Sequence, residues 1–342
     1  MRAVRYDQFG ATPTVVDIED PVCPPDGVVI RVEATGLCRS DWHGWMGHDP
    51  DVVVPNVPGH EFAGVIAEVG RDVSTWQVSD RVTSPFVCAC GRCPTCLRGD
   101  LQVCERQQQP GFTYWGSFAE FVAVPVADLN LVALPEAIGS ASAAALGCRF
   151  ATAYRAVTAH ARPAPGDWVA IHGCGGVGLA AVMIAVAEGA RVIAVDPVPE
   201  ARDRALRLGA EHATADPREI IGLTGGGARI SIDAIGGASS LLASVECLRR
   251  RGRHVQVGLL GGDTVVAAQV VTLAVARELE ILGSHGMSAR DYPAMLARIV
   301  SGELDPGRLV TRRIGLRQGA VALSALGEAT VDGVTVIEPG RA

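Results

Sequence analysis

The chain has 342 residues, 48% of them hydrophobic, which is enough for two domains that each bury a core. Its formal charge of −7 at pH 7 argues against a nucleic-acid partner, because phosphate binding needs a concentrated basic surface. No apolar run reaches the roughly 20 residues of a membrane span, and the N-terminus lacks the apolar stretch of a signal peptide, so we expect a cytoplasmic protein without a membrane partner.

Ten cysteines and a complete lack of lysine narrow the chemistry further. Without an export signal, so many cysteines favour reduced thiols that bind metal over disulfides. The lack of lysine excludes a Schiff-base mechanism and a P-loop lysine. If the protein polarises a carbonyl group, a group other than lysine must do it, and a bound zinc ion is one candidate.

Residues 1–149 are predicted to form a β-rich domain, because short strand-like segments alternate there with Gly and Pro. The clearest predicted strands are Val28–Ala34, Phe62–Val69 and Phe118–Pro125. The stretch Asp41–Pro58 and the cysteine-rich segment that begins at Cys90 are predicted to be irregular. Long irregular stretches are more often functional than idle.

Four cysteines of this domain lie close together in the pattern C-x2-C-x2-C-x7-C and predict a closed structural zinc site: Cys90, Cys93, Cys96 and Cys104. Ferredoxins share the first part of this pattern but continue with x3-C-P. Clustered redox thiols remain an alternative, and the neighbouring Cys88 could compete as a ligand. Three further residues come from distant segments, which is typical of a catalytic zinc with an open fourth position: Cys38, His60 and Cys148.

Residues 150–285 alternate strands and helices, which predicts a doubly wound parallel sheet. The predicted strands are Trp168–His172, Arg191–Asp196, Arg229–Ala234, His254–Gly258 and Leu279–Leu282. The predicted helices are Val177–Glu188, Pro199–Leu208 and Ser239–Arg250. After residue 285 a helix is predicted over Tyr292–Ser301, and residues 286–342 are expected to return to the first domain and complete it.

A glycine-rich loop between the first strand and the first helix of this region has the form G-x-G-x-x-G, which indicates dinucleotide binding. Its candidate cofactor-binding residues are Gly173, Gly175, Gly176, Val177 and Gly178. Such a loop lets the backbone approach a pyrophosphate at the helix N-terminus. Asp196 closes the next strand, and its carboxylate would bind the ribose hydroxyls and repel a 2′-phosphate, which favours NAD over NADP. Arg202 is also a candidate cofactor-binding residue, and with Arg204 it could instead accommodate that phosphate.

Several of these segments resemble the zinc-dependent medium-chain alcohol dehydrogenase family. The motifs that carry the resemblance are Gly59-His60-Glu61-x2-Gly64-x5-Gly70-x2-Val73, Gly36-Leu37-Cys38-Arg39-Ser40-Asp41, the four-cysteine segment, and Leu146-Gly147-Cys148 followed by Thr152-Ala153-Tyr154. They run in order through nearly the whole chain. The family implies an α/β protein with a GroES-like catalytic domain and a Rossmann domain, two zinc ions per chain, NAD, and a homotetramer or, in some members, a homodimer.

The resemblance also implies roles around the catalytic metal. Cys38, His60 and Cys148 would be the zinc ligands. Glu61 matches a carboxylate that is thought to approach the metal when ligands exchange. Asp41 matches the acid that orients the ligand histidine, a frequent arrangement at metal sites.

Four more residues would serve the substrate and the cofactor. Ser40 matches the hydroxyl that hydrogen-bonds the alcohol, and His43 matches the end of a proton relay, although His48 lies close by. Arg39 would reach the cofactor pyrophosphate, and Thr152 would contact the nicotinamide. A histidine is suited to such a relay because its ordinary pKa is near neutral.

Together these features predict a zinc-dependent, NAD-linked dehydrogenase that interconverts a primary or secondary alcohol with an aldehyde or ketone. Four aromatic residues near the ligand loops, together with Ile235, could line the pocket and favour a bulky or aromatic alcohol: Trp42, Trp45, Phe86 and Trp115. A polyol, threonine or formaldehyde dehydrogenase on the same scaffold is an alternative. A zinc- and NAD-binding regulator without catalytic activity is another.

Overall fold

The computed structural model describes residues 1–260, 265–327 and 333–341. The chain divides into two compact units, Met1–Ala151 with Gly286–Ala342, and Thr152–His285. The terminal segment therefore belongs to the first unit. The predicted boundaries fall after residues 149 and 285, against 151 and 285 in the structure.

The first part of the chain is rich in short strands and short helices. Its strands are β1 (Arg2–Arg5), β2 (Thr14–Asp17), β3 (Val28–Leu37), β4 (Phe62–Val69), β5 (Arg81–Thr83), β6 (Phe121–Val124) and β7 (Val132–Ala133). Its helices are α1 (Arg39–Trp45), α2 (Pro94–Arg98), α3 (Ala127–Asn130), α4 (Ser140–Ala144) and α5 (Ala151–Arg155), and α5 lies between two π-helical turns, Leu146–Phe150 and Ala156–Ala161.

The second unit alternates strands and helices. Its strands are β8 (Trp168–His172), β9 (Arg191–Val195), β10 (His212–Thr214), β11 (Ala228–Asp233), β12 (Leu248–Gln256) and β13 (Glu280–Gly283). Its helices are α6 (Gly176–Ala187), α7 (Pro199–Arg207), α8 (Glu219–Thr224), α9 (Ala238–Glu246) and α10 (Val265–Arg277). The terminal segment adds α11 (Tyr292–Val300), β14 (Val310–Ile314), α12 (Leu316–Ala325) and β15 (Val334–Ile337).

Strand β3 is the centre of the sheet in the first unit. The strand order is β14-β15-β3-β4-β5-β7, and β6 also pairs with β3. Alternate residues of a strand point to the same face, and Val28, Ile30 and Val32 are buried in one cluster with Phe62 and Ile66 of β4. This β-rich unit agrees with the GroES-like catalytic domain predicted from the sequence.

The sheet of the second unit has the order β10-β9-β8-β11-β12-β13, and all of its neighbouring strands run parallel. Numbered within the unit, this order is 3-2-1-4-5-6, which is that of a doubly wound dinucleotide-binding fold. Residues Val169–Ile171 of β8 are fully buried, as expected for a strand covered on both faces. The predicted Rossmann architecture is confirmed. In the part of the chain that the structure describes, no helix is both long enough and apolar enough to cross a bilayer.

Two local predictions were wrong. The helix predicted over Ser239–Arg250 ends at Glu246, and Leu248 already begins β12. The arginines that follow Leu248 are exposed where the pairing of β12 with β11 skips from Leu248 to Arg253 and where β13 has not yet begun to pair with β12. In addition, both stretches predicted to be irregular contain helical residues: Asp41–Pro58 begins inside α1, and the cysteine-rich segment that begins at Cys90 contains α2.

We expect Gly64→Ala to destabilise the first unit. Gly64 pairs with Val32 across β3 and β4, and a Cβ atom at Gly64 would overlap the carbonyl oxygen of Arg31. Forcing an atom into such a space typically costs about 1–3 kcal/mol, so the midpoint of thermal unfolding of the zinc-loaded protein should fall by several degrees. Gly283→Ala is the control, because nothing lies within 4 Å of the corresponding Cβ position. Equal midpoints for the two variants would contradict this explanation.

Candidate catalytic and metal sites

The buried carboxylate of Asp41 organises the first group of candidate ligands. Cys38 is the N-cap of α1, and its backbone N–H donates a hydrogen bond to Asp41 Oδ2 at 2.9 Å. The backbone N–H of Gly59 donates to Asp41 Oδ1 at 3.0 Å. A buried carboxylate is costly unless it is fully hydrogen-bonded, and these contacts tie the end of β3 to the segment that leads into β4.

His60 is fully buried, and its two ring nitrogens have different surroundings. Nδ1 lies 2.8 Å from Asp41 Oδ1, whereas Nε2 is buried without a hydrogen-bond partner among the described residues. Burial by itself disfavours a charged ring, but the charge of Asp41 and its hydrogen bond raise the pKa of His60 above the ordinary value. A carboxylate at Nδ1 leaves Nε2 to act as a metal ligand.

Cys148 lies on a π-helical turn and places its sulfur near the side chains of Cys38 and His60. The turn Leu146–Phe150 is held from outside by Tyr292, whose hydroxyl donates to the carbonyl oxygens of Leu146 and Gly147, both at 3.4 Å. Single π-helical turns often occur at functional sites because they redirect side chains. Cys38, His60 and Cys148 each place one potential ligand atom within 4.8 Å of those of the other two.

The pKa values of the two thiols of this group shift in opposite directions. A hydrogen bond from Cys148 lowers the pKa of Cys38, and the same interaction raises the pKa of Cys148. The donor set of two sulfurs and one imidazole nitrogen, with an orphaned buried Nε2, suits a zinc ion that keeps one coordination position open. Zinc would stabilise both cysteines as thiolates.

Glu61 points away from its neighbour His60 and binds Arg149. The backbone N–H and the Nε of Arg149 donate to Glu61 Oε1 at 2.8 Å and 3.0 Å, and Arg149 Nη2 contacts Oε2. Arg149 Nη1 also donates to the carbonyl oxygen of Leu37 at 3.1 Å. Burial raises the pKa of Glu61, an effect that the Arg149 charge partly offsets. Arg149 was not among the residues predicted from the sequence to belong to the site, although it directly follows Cys148.

The other residues expected near the substrate lie on α1. Ser40 Oγ is 3.8 Å from the Cys38 sulfur. The ring of His43 is exposed, and its Nδ1 lies 3.0 Å from Nδ1 of His48. Arg39 Nη1 donates to the carbonyl oxygen of Leu326 at 3.0 Å. The structure thus places Ser40 next to a candidate ligand and His43 at the surface.

Two phenylalanines stand beside the candidate ligand His60. The ring centroid of Phe112 is 5.4 Å and that of Phe86 is 6.4 Å from the imidazole, both in edge-on geometry. The sequence suggested Phe86 and missed Phe112, which lies outside the motifs of the three candidate catalytic ligands. Trp45, another suggested pocket residue, is buried in the hydrophobic core cluster that also contains Phe112, and its indole N–H donates to Ala11 O at 2.6 Å.

The four remaining candidate ligands form a separate cluster around α2: Cys90, Cys93, Cys96 and Cys104. The sulfurs of Cys93 and Cys104 are 3.8 Å apart, which matches the edge of about 3.8 Å in a tetrahedron with zinc–sulfur bonds of about 2.3 Å. The backbone N–H of Cys96 donates to the Cys93 sulfur at 3.4 Å, and this hydrogen bond, together with those from the Glu105 backbone and the neighbouring thiols, lowers the pKa of Cys93 to about 6. The cluster suits a zinc ion with no open position. Cys88 lies outside it, with its thiol near Ser84 and Tyr114.

In the second unit, the glycine-rich loop connects β8 to α6. Gly173 has φ +90°, a left-handed conformation that favours glycine, and a Cβ atom on Gly178 would overlap Gly173 O. Nothing lies within 4 Å of a Cβ position on Gly175, the N-cap of α6. The loop therefore leaves open space in front of the α6 N-terminus, where a pyrophosphate would bind. Gly176 and Val177 form the first turn of that helix.

Asp196 lies beside this loop at the end of β9. Its carboxylate accepts hydrogen bonds from the backbone N–H of Cys174 at 2.7 Å and of Val198 at 2.9 Å. Arg202 Nη1 donates to the carbonyl oxygens of Asp196 and Pro197 at 2.7 Å and 2.9 Å. Thr152 Oγ1, expected to contact the nicotinamide, is buried without a hydrogen-bond partner in the described ranges.

Comparisons with known proteins agree with this arrangement. The model of the alcohol dehydrogenase GroES-like domain matches residues 24–136, and that of zinc-binding dehydrogenases matches residues 176–301. An alcohol dehydrogenase of Geobacillus stearothermophilus is 36% identical over 310 residues, which cover 89% of this chain and 90% of that protein.

Two further relatives span almost the whole chain. An NAD-dependent alcohol dehydrogenase of Sulfurisphaera tokodaii is 31% identical over 354 residues, covering 99% of this chain and 100% of that protein. The solved structure of alcohol dehydrogenase TADH from Thermus sp. ATN1 has a TM-score of 0.88 and 30% identity, with 99% of each chain covered.

We expect Cys96→Ser to remove one zinc ion and lower stability before it alters the chemistry. The four-cysteine cluster has no open position, so a metal bound there would stabilise the surrounding segment without meeting substrate. Elemental analysis should show a fall from about two to about one zinc per chain, together with a lower thermal midpoint. The control is Cys23→Ser, whose thiol lies near the backbone oxygens of Pro24 and Gly27 and outside both groups of candidate ligands. A Cys96→Ser protein that is fully stable but inactive would disprove the structural role.

Proposed function

The chain belongs to the zinc-dependent medium-chain alcohol dehydrogenase family, and we propose that it transfers hydride reversibly between an alcohol and NAD, giving an aldehyde or ketone. It is an oxidoreductase that acts on alcohols and uses zinc and NAD. In this proposal the unit that contains residues 1–149 and 286–342 holds the catalytic zinc, and residues 150–285 bind the cofactor.

The observation that carries the proposal is the orphaned Nε2 of His60 beside two thiols. A bound zinc ion supplies a Lewis acid that favours loss of the substrate hydroxyl proton, and bound NAD supplies the hydride acceptor. Asp41 contributes by holding the Nδ1 side of the ring, at 2.8 Å, so that Nε2 faces Cys38 and Cys148. Glu61, the second carboxylate near the candidate ligands, forms an ion pair with Arg149 that compensates its negative charge.

Oxidation of the alcohol releases a hydride and a proton, and α1 offers the groups that would receive the proton. Ser40, which lies beside Cys38, is the proposed hydrogen-bond partner of the substrate hydroxyl. His43 is exposed, so a proton that reaches its ring can pass to solvent. In the reverse direction the same groups would return a proton to the oxygen of the carbonyl product.

Several features of the second unit support NAD as the cofactor. The open space at Gly175 and the N-terminus of α6 would accommodate the pyrophosphate. The Asp196 carboxylate would accept hydrogen bonds from the ribose hydroxyls and disfavour a 2′-phosphate. Arg202 is engaged by two backbone carbonyl oxygens, which weakens the alternative that it holds that phosphate. Arg39 and Thr152 remain proposed contacts to the pyrophosphate and the nicotinamide.

We propose a bulky or aromatic alcohol as the preferred substrate class. Phe86 and Phe112 provide apolar ring surface near His60, and such surface favours an apolar substituent over a row of hydroxyls. The homotetrameric assembly and the cytoplasmic location expected from the sequence stay predictions.

The first test combines metal analysis with turnover. Zinc per chain is measured, and NAD reduction is followed at 340 nm with aliphatic, aromatic and polyhydroxy alcohols. We expect about two zinc ions per chain, preference for aromatic alcohols, loss of activity with a chelator, and recovery with added zinc. Cys148→Ser should retain its fold but lose at least about a hundredfold in kcat, because a zinc ligand is removed.

Cys88→Ser is the matched control for Cys148→Ser. Cys88 is a buried thiol of the same unit that lies near the Ser84 and Tyr114 hydroxyls and outside both ligand groups. Normal activity in Cys148→Ser would rule out the ligand assignment. Faster turnover of polyhydroxy alcohols would leave hydride transfer intact and refute the proposed substrate class.

We also expect Asp196→Asn to shift cofactor preference. The substitution keeps the size of the side chain but removes the charge that repels a 2′-phosphate, so the NADP-to-NAD ratio of kcat/KM should rise by about tenfold, equivalent to about 1.4 kcal/mol. Asp203→Asn removes an exposed acid from α7 and serves as the control. An unchanged ratio in Asp196→Asn would show that this carboxylate does not select the cofactor.

A further inference from the structure

Two histidines meet at the exposed end of α1. Nδ1 of His43 and Nδ1 of His48 are 3.0 Å apart, and their ring centroids are 5.3 Å apart. At this distance one Nδ1 must carry a hydrogen and the other must accept it, because two N–H groups or two lone pairs would repel each other. The proposed function uses His43 and gives His48 no role.

The backbone after α1 is built to bring these rings together. The N–H of His48 donates to the carbonyl oxygen of His43 at 3.0 Å and closes a turn. The turn passes through Gly47 at φ +76°, where a Cβ atom would also come within 2.9 Å of the Phe9 ring. Few residues other than glycine tolerate that conformation, so the return of His48 to His43 depends on Gly47.

The Trp42 indole supports both histidines. Its centroid is 5.0 Å from that of His43 and 5.5 Å from that of His48, with both rings near perpendicular to it. The Arg39 guanidinium lies 5.7 Å from the Trp42 ring centroid. The pair is therefore held by the turn and by an aromatic neighbour, in addition to its own hydrogen bond.

We propose that His48 is a second member of the proton relay, which takes the proton from His43 through the Nδ1–Nδ1 contact and releases it to solvent. This inference rests on the proposed function, because it assumes that alcohol oxidation delivers a proton to His43. In this role His48 touches neither substrate nor cofactor. It accelerates proton transfer from the substrate because, by removing the proton from His43, it restores the form of His43 that can accept another.

The transfer balances with ordinary imidazole chemistry. His43 accepts a proton at Nε2 and becomes an imidazolium, then gives its Nδ1 hydrogen to the lone pair on Nδ1 of His48. His48 in turn loses its Nε2 hydrogen to water, so one proton enters the pair and one leaves it. Because both rings are exposed, exchange with solvent returns them to their starting tautomers.

The charges around His43 set the direction of its titration. Burial, His48 and Arg39 lower the pKa of His43, while Cys38 and Asp49 act in the opposite direction. Replacing His48 with glutamine removes one of the lowering influences, so the pKa of His43 should rise. The neutral, proton-accepting form of His43 would then be lost at a higher pH than in the wild-type protein.

The test measures the rate of the first turnover in the zinc-loaded enzyme. Stopped-flow formation of NADH from a reactive alcohol is recorded between about pH 6 and pH 9 for the wild type, His48→Gln, His43→Gln and the double variant. We expect His48→Gln to slow this step about three- to tenfold near pH 7, with less effect at high pH, where hydroxide accepts the proton directly. His212→Gln, which changes a histidine of the second unit, is the control.

The double variant separates a serial relay from two independent effects. If the proton passes through His43 before His48, the double variant reacts as slowly as His43→Gln and no slower. The proposal would be overturned if the double variant were slower than His43→Gln by the same ratio that separates His48→Gln from the wild type. It would also be overturned if His48→Gln reacted at the wild-type rate at every pH.

A readout that does not need turnover keeps the inference distinguishable from the proposed function. The rate at which diethyl pyrocarbonate modifies His43 is measured against pH by peptide mass spectrometry. We expect its midpoint to rise in His48→Gln and to stay unchanged in His212→Gln. A protein that reduces no NAD with any alcohol would refute the proposed function, whereas an unchanged His43 midpoint in His48→Gln would refute the coupled pair itself.

Discussion

The candidate catalytic site depends on one buried carboxylate, that of Asp41. It accepts hydrogen bonds from the backbone of Cys38, from the backbone of Gly59 and from the ring of His60. A carboxylate removed from water is stable only when such donors replace its hydration. The hydrogen bonds to Asp41 therefore form only if the segment after β3 lies next to the segment before β4. This arrangement places the Cys38 thiol beside Nε2 of His60.

The adjacent residues His60 and Glu61 extend this constraint to the third ligand segment. The side chains of these consecutive residues have different partners: His60 contacts Asp41, whereas Glu61 contacts Arg149. Arg149 sits in the π-helical turn with Cys148 and also donates to Leu37 O at the end of β3. Two buried ionic contacts through consecutive residues thus fix three distant segments around one point.

The features that could be predicted from the sequence are those defined by residues that lie close together in the chain. The four-cysteine cluster, the glycine-rich loop and the parallel strands of the second unit follow from patterns a few residues long, and the structure brings each set together as expected. The contacts that could not be predicted join residues far apart in the chain: Phe112 beside His60, and Glu61 with Arg149. Nothing in the spacing of those residues encodes their meeting, which results from the packing of β3 and β4 and from the π-helical turn.

Helix α1 combines buried and exposed chemistry in seven residues because of its periodicity. Positions three or four apart share a face of a helix, so the N-cap Cys38, Asp41 and Trp45 are buried while Arg39 and His43 are exposed. The buried face supplies a candidate metal ligand and the carboxylate that orients His60. The exposed face carries His43, the group that we propose exchanges protons with water. A candidate metal site that is buried and a proposed proton path that needs solvent can therefore lie within one short helix and its N-cap, provided that the helix begins directly after Cys38, at Arg39, and not one residue earlier or later.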